Sequence, residues 1–344
     1  MIRQQRFLQI LLRAVFSTVL LTQCLTVHAQ LTSQDYTNLD SSKYLGEVEI
    51  LATLSEPPIF TEGPAAAPDG RLYFTNVPAS RIHLWSPADR SLSIAFSDTR
   101  ETNGLCFDRQ GRMLCCEGGA GRVTRRHLNS DEVEVLAETW NGFPLAAPND
   151  ICVDHADRIW FSSRPGTQDP SAGNVNAVYC IHPDGRLTQP LAWPVVQMPN
   201  GVAISPDGRK LIVIEAHPDA DRNRDIRTWD IAADGSLSNP ETLITFYPGR
   251  SGDGMAVDAE GNLYVAAGLH ATRKTSETLD TKPGIHVISP AGKLLAFRET
   301  PEDTVTNCCF GGVDGRILYV TCGTRLLQIP TIISGARLPD QSRR

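Results

Sequence analysis

Asn103-Gly104-Leu105-Cys106-Phe107-Asp108, closed by Gly111, returns as Asn149-Asp150-Ile151-Cys152-Val153-Asp154 with Asp157, and again as Asn200-Gly201-Val202-Ala203-Ile204-Ser205 with Gly208. Working outward, Glu62-Gly63-Pro64 with Gly70 comes before these. Asp253-Gly254-Met255-Ala256-Val257-Asp258 with Gly261, and Asn307-Cys308-Cys309-Phe310-Gly311 with Gly315, come after them. In every copy the polar opener lies eight positions ahead of the turn residue, and successive openers are 41, 46, 51, 53 and 54 residues apart. That interval is the length of one four-stranded propeller blade. Gly, Asp and Asn at the turns suit tight hairpins that need positive φ. A second apolar strand follows each turn, as in Leu72-Tyr73-Phe74, Ile159-Trp160-Phe161 and Leu263-Tyr264-Val265. The pattern predicts an all-β fold, a six-bladed β-propeller occupying residues 44–330.

Ring closure has its own candidate. The last copy supplies three strands before Pro330, and Glu47-Val48-Glu49-Ile50-Leu51 stands unpaired ahead of the first copy. Pairing the two would remove the exposed sheet edges. Residues 30–43 read as a linker and 331–344, polar and Pro-containing, as a flexible tail.

Residues 1–29 read as a signal peptide. Arg3, Arg6 and Arg13 make the start positive, an apolar stretch runs from Ala14 to Leu21, and Val27-His28-Ala29 is a small-x-small ending with cleavage expected after Ala29. The apolar run is too short for a membrane span, so the expectation is a secreted or periplasmic protein. Without the leader's three arginines, 29 Lys and Arg face 39 Asp and Glu, a charge of −10. Such an acidic chain has no electrostatic footprint for nucleic acid. Eight of the nine cysteines lie beyond the leader, nearly all inside apolar strand-like runs and none at zinc spacing. They read as small buried hydrophobes, with one or two disulfides the alternative.

In a propeller the innermost strand of each blade lines the central channel, so residues at one register of six such strands form a ring. Here the ring is Glu62, Asn103, Asn149, Asn200, Asp253 and Asn307. An Asn-Gly pair taken singly is an ordinary turn dipeptide. Six oxygen-bearing openers at one register point instead to a central metal-binding channel, with a water-filled polar channel as the plainer reading. Glu62 and Asp253 would neutralise one divalent cation, and the amides of Asn149 and Asn200 could complete the cage. Such a cage would suit calcium foremost, with zinc or manganese as alternatives. Asp253 and Asp150 are the candidate catalytic bases beside such a Lewis acid. His217 follows a blade strand toward the channel mouth. The sequence has no Gly-x-Ser-x-Gly elbow, no His-Glu-x-x-His pair and no P-loop.

At these residues the chain resembles the gluconolactonase family, the group that includes regucalcin and, more distantly, diisopropylfluorophosphatase. The carriers are Phe60-Thr61-Glu62-Gly63-Pro64, Thr102-Asn103-Gly104, Pro148-Asn149-Asp150, Pro199-Asn200-Gly201, Asp253-Gly254-Met255 and Thr306-Asn307. The resemblance implies a six-bladed propeller, a divalent metal on Glu62, Asn149, Asn200 and Asp253, and Asp253 as favoured base. Asn103 and Asn307 then touch substrate or ordered water. Arg164 and His217, placed near the channel mouth, are this sequence's own further candidates for substrate binding. The implied activity is hydrolysis of a small-molecule sugar lactone or related cyclic ester. The other readings of the same cage are a phosphotriesterase-like hydrolase and a non-enzymatic extracellular ligand-binding propeller with a structural metal. Three departures from the family pattern stand out: Ala65-Ala66 for Val-Trp, Asn76 for Asp, and Ser162-Ser163-Arg164 for Thr-Asp-Pro, the last near the channel mouth.

Overall fold

The computed structural model describes residues 29–337, apart from 131, 166, 167, 170 and 172–174. The expected leader, 1–28, and the tail beyond 337 lie outside the described residues. Six sheets surround one axis, each built on four antiparallel strands, and the fourth carries a fifth, parallel strand, Ala29–Gln30. Their innermost strands are Thr61–Ala66, Thr102–Phe107, Pro148–Val153, Pro199–Ile204, Gly252–Val257 and Val305–Gly311. Each lies against the next around the axis, and the sixth lies against the first.

The strict eight-residue register has a backbone cause. The turn residue takes a left-handed φ in all six copies: 86° at Gly70, 75° at Gly111, 59° at Asp157, 73° at Gly208, 85° at Gly261 and 72° at Gly315. Glycine adopts that conformation without strain, and Asp tolerates it. Three of the turns are pinned by a buried Asp at the end of the inner strand. Asp108 Oδ1 accepts from Gln110 and Arg112 N, Asp154 Oδ1 from Ala156 and Arg158 N, and Asp258 Oδ1 from Glu260 and Asn262 N. Each carboxylate so satisfies two donors that a tight turn leaves without backbone partners.

The sixth blade is completed from the other end of the chain. Glu49–Thr53 pairs antiparallel with Arg325–Pro330, in the register Glu49 to Gln328 and Thr53 to Arg325. The two ends of the chain thus meet within one sheet, and apolar side chains packed between neighbouring blades join one sheet to the next. Tyr264 and Val287 of the fifth blade, for example, share one cluster with Leu318 and Leu327 of the sixth.

The flanking segments differ from the sequence reading. Within 30–43, expected to be a linker, Gln30 and its neighbour Ala29 pair in parallel with Thr245 and Ile244. Leu31 is buried, and Tyr36 bonds His286 Nε2 at 2.8 Å while its ring stands edge-on to Phe297. These apolar side chains cover the fourth and fifth blades. Likewise 331–337, expected to be flexible, lies bonded to the propeller. Gly335 bridges to Asp258, Ala336 N donates to Val257 O, and Ala259 N donates to Ser334 O. A β-carbon on Gly335 would stand 2.3 Å from Phe310 Cβ, so that close approach depends on glycine. Among the described residues no helix is long and apolar enough to cross a membrane. All eight described cysteines are free thiols, which removes the disulfide alternative here.

Candidate functional site

The openers stand inside strands rather than in turns, and the glycines that follow them serve packing between blades. A β-carbon on Gly63 would lie 2.2 Å from Asn103 O, one on Gly104 2.6 Å from Asn149 O, and one on Gly201 2.8 Å from Asp253 O. On Gly254 it would meet Asn307 Cγ at 2.0 Å. Each glycine thus lets the next blade's opener come to the axis. Side chains of any size would push the ring apart.

The third copy breaks this rule by placing Asp150 where glycine stands in four others, and its carboxylate goes into the channel. Asp150 Oδ2 accepts from Val202 N at 3.0 Å, and Oδ1 from Asn307 Nδ2 at 3.3 Å, a bond from the third blade to the sixth. Asp150 N donates to Ser162 Oγ at 3.1 Å, so Ser162, one of the departures from the family pattern, holds its backbone. Burial pushes the Asp150 carboxyl up to about 6, partly offset by the donors it accepts. Asn307 Oδ1 in turn accepts from Cys308 N at 2.8 Å, which fixes the amide's orientation.

Glu62 is buried, and Oε2 accepts from Gly63 N at 3.0 Å. Burial, and next the charge of Asp253, raise its proton affinity well above the carboxylate norm; hydrogen bonding from Asn307 works the other way. Asp253 is buried as well. Its Oδ1 accepts from Asn200 Nδ2, and its Oδ2 from Arg250 Nη2 at 2.7 Å. Glu62, Asp150, Asn200, Asp253 and Asn307 therefore form one interacting group. Asn103 and Asn149, half-buried, hold the same register, and their carbonyl oxygens face Gly63 and Gly104. Among the described residues no three His, Cys, Asp or Glu side chains form a metal-ligand group, and two of the four predicted ligands are amides. The donor set is all oxygen, with two buried carboxylates sharing one space. That is the chemistry of a hard divalent cation, whose charge would offset their mutual repulsion.

Arg164 and His217 sit on the third- and fourth-blade side of the mouth, and neither bonds to a ring residue among the described residues. Arg164 N donates to Ala147 O at 3.2 Å. His217 Nδ1 accepts from Asp219 N at 3.2 Å. Burial lowers its proton affinity, the Asp219 charge opposes this, and the guanidinium charges of Arg222, Arg224 and Arg164 add to the lowering. Arg250 escaped sequence reasoning, since it lies outside the repeated segment.

Asn76, another departure, and Ser163, the neighbour of Ser162, have structural counterparts. Asn76 and Ser163 end the second strands of their blades and hold the chain that enters the innermost strand. Asn76 Oδ1 accepts from Phe60 N at 3.0 Å, and Ser163 Oγ donates to Ala146 O at 3.0 Å. Glu215 does the same in the fourth blade, accepting from Gln197 and Met198 N. Below the ring the channel widens into a cavity of about 280 Å³. Cys106, Cys152 and Cys309 line it, and Ala336 and Arg337 border it. A larger groove of about 1300 Å³ runs between the fourth and fifth blades and contains no ring residue.

Comparison with known proteins agrees with this architecture. A gluconolactonase of Zymomonas mobilis is 26% identical over 302 residues, covering 79% of this chain and 78% of that protein. Rabbit (Oryctolagus cuniculus) regucalcin is 25% identical over 272 residues, covering 78% and 82%. The solved structure of a gluconolactonase from Xanthomonas campestris, 27% identical, superposes with a TM-score of 0.70 over 84% of this chain and 91% of that one. A regucalcin from Agrobacterium tumefaciens, described as calcium-binding and 18% identical, shares the fold at a TM-score of 0.67, covering 86% and 97%. Residues 60–324 match the family described as the SMP-30/gluconolactonase/LRE-like region, and the chain belongs to that family.

Proposed function

We propose that this protein hydrolyses a sugar lactone or related cyclic ester at the polar ring, with a divalent cation, calcium foremost, held by Glu62, Asn149, Asn200 and Asp253. The observation that carries the reading is the convergence of two buried carboxylates, Glu62 and Asp253, with amide side chains on one axis. Kinship with gluconolactonases supplies the substrate class. A regucalcin described as calcium-binding supports the metal. When bound there, the cation supplies a Lewis acid for the ring carbonyl.

The chain's own groups divide the remaining work. Asn103 and Asn307 present amides toward the substrate position, and Arg164 and His217 line the mouth above them. Asp150 has a proton affinity near neutrality, which suits a group that takes a proton from the attacking water at Oδ1 or Oδ2 and later returns it. Asp253 is the other candidate, and it has both oxygens already engaged.

The test is turnover of gluconolactone by the purified protein, before and after chelation and with Asp253→Ala. Loss of both bound metal and turnover is expected. Undiminished turnover after the metal has been stripped would overturn the reading. Assaying an organophosphate triester alongside separates the phosphotriesterase alternative, and tight metal without turnover of any lactone would favour a structural metal. The leader-like residues 1–29 support export, for which the check is a mature protein beginning at Gln30 outside the cytoplasm.

A further inference from the structure

Arg250 stands three residues ahead of Asp253, in the loop that delivers the fifth innermost strand. Only the second repeat also has a basic residue at that place, Arg100, and that one is exposed. The Arg250 and Asp253 side chains are 13% and 10% exposed, and the guanidinium Nη2 lies 2.7 Å from the carboxylate Oδ2. Among the described residues no other ion pair reaches Glu62, Asp150 or Asp253. The ring's three buried carboxylates therefore have one resident cation between them, and it is a side chain.

That side chain is held at a single point. Nη1 of Arg250 is buried without a hydrogen-bond partner among the described residues. Arg224, in the same wall, is locked by contrast. Its Nε donates to His217 O at 2.8 Å, Nη1 to Pro248 O at 2.7 Å, and Nη2 to Pro218 O at 2.8 Å and Asp219 O at 3.0 Å, besides Ser276 Oγ. Arg224 fixes the loop, whereas Arg250, two residues beyond Pro248, has only its bond to Asp253 to give up. In this structure both oxygens of Asp253 are satisfied by protein hydrogens, from Asn200 and from Arg250. A cation that bound Asp253 would have to turn at least one of these donors away. It would also repel a guanidinium only one carboxylate away, because like charges a few ångströms apart oppose each other strongly outside bulk water.

We propose that Arg250 is a resident counter-ion of the carboxylate ring, displaced when a divalent cation enters, so that it sets the ring's affinity for that cation rather than helping to build the site. The inference rests on the reading of the ring as a cation site. It also has a conventional rival with the opposite sign. Were Arg250 an orienting partner that holds Asp253 ready to coordinate, its removal would weaken metal binding about 10- to 100-fold. As a competing counter-ion, its removal strengthens binding.

The experiment is calorimetric titration of the full chain with calcium chloride, in the wild type and in Arg250→Gln, Arg250→Lys and Glu62→Gln, with melting of each chelator-treated protein measured in parallel. Arg250→Gln is expected to bind calcium about tenfold tighter or more, while its metal-free form melts lower than the wild type because the ring has lost its cation. Arg250→Lys, which keeps the charge, is expected to stay near wild type in both measurements. Glu62→Gln is expected to lose binding. Calcium binding lost in Glu62→Gln but unchanged or weaker in Arg250→Gln overturns the counter-ion role alone. Binding that Glu62→Gln leaves intact overturns the cation site and this proposal with it.

Discussion

The β-carbon that Gly254 lacks would stand 2.0 Å from Cγ of Asn307, so the fifth blade's inner strand and the sixth blade's opener meet only because residue 254 is glycine. Asn307 cannot simply yield, since its Oδ1 accepts from Cys308 N and its Nδ2 donates to Asp150. Gly254→Ala is therefore expected to destabilise the protein by about 1–3 kcal/mol. It should also lower turnover more than Gly70→Ala, where a β-carbon meets nothing within 4 Å and only the φ of 86° resists. Urea denaturation and lactone turnover of the two variants check both halves.

Glu215 gives the stability a pH dependence. It is fully buried, accepts backbone N–H from Gln197 and Met198, and burial pushes its carboxyl up to about 7 from an ordinary 4.5. The folded value lies above the unfolded one, so the stability it contributes is present below pH 4.5 and lost as pH rises through 7. A shift of that size corresponds to about 3 kcal/mol, lost between about pH 4.5 and 7. Asp150, raised to about 6, acts in the same direction over a lower window. Chelator-treated protein is expected to melt higher at pH 5.5 than at pH 8, and Glu215→Gln should flatten the difference. A wild-type midpoint that climbs with pH across this range would contradict it.

Much of this was readable from the chain because the repeat has a backbone cause. A left-handed turn residue is needed eight positions after each opener, and Gly or Asp there leaves a mark that survives changes in the strands around it. The ring openers share that register, so Glu62, Asn200, Asp253 and Asn307 could be gathered before any coordinates. The glycines were harder to interpret. Gly104 and Gly254 look like turn formers, and their true constraint is a neighbouring blade about 50 residues away in the chain. Arg250 belongs to no repeat, and its ion pair depends on how one loop enters the fifth blade. Residues 331–337 carry no alternation because they bond irregularly to strand ends, so nothing in their pattern announced that they would be ordered.

The thiols should be inert in the native protein. Burial pushes Cys106, Cys115, Cys180 and Cys309 up to about 12 and Cys322 to about 11, and raises Cys116, Cys152 and Cys308 as well. At pH 8 fewer than roughly one in a hundred of the first five would be thiolate, the form that reacts. A chromogenic disulfide reagent is expected to label none of these eight quickly in the folded protein and all eight after unfolding in guanidinium. Fewer than eight in the unfolded sample would reveal a disulfide. Rapid labelling of the native protein would contradict this, and Cys106, Cys152 and Cys309, which line the cavity below the ring, would be the thiols reached first.

Asp150→Asn separates the two candidate bases. Asp150 uses one oxygen for Val202 N and the other for Asn307 Nδ2, and Asn307 is itself fixed by Cys308 N. An amide at 150 can satisfy only one of these donors and cannot take up a proton, so the substitution removes the base while leaving Glu62, Asn149, Asn200 and Asp253 in place. If Asp150 takes the proton, turnover should fall about 10²- to 10⁴-fold with calcium affinity little changed. The wild type should also lose activity below about pH 6, where the Asp150 carboxyl takes up its proton, and the variant's residual activity should lack that limb. Equal calcium affinity is the control that distinguishes a lost base from a disturbed ring. Turnover within threefold of wild type in Asp150→Asn would move the role to Asp253, whose carboxylate would then have to leave Arg250 or Asn200 before it could act.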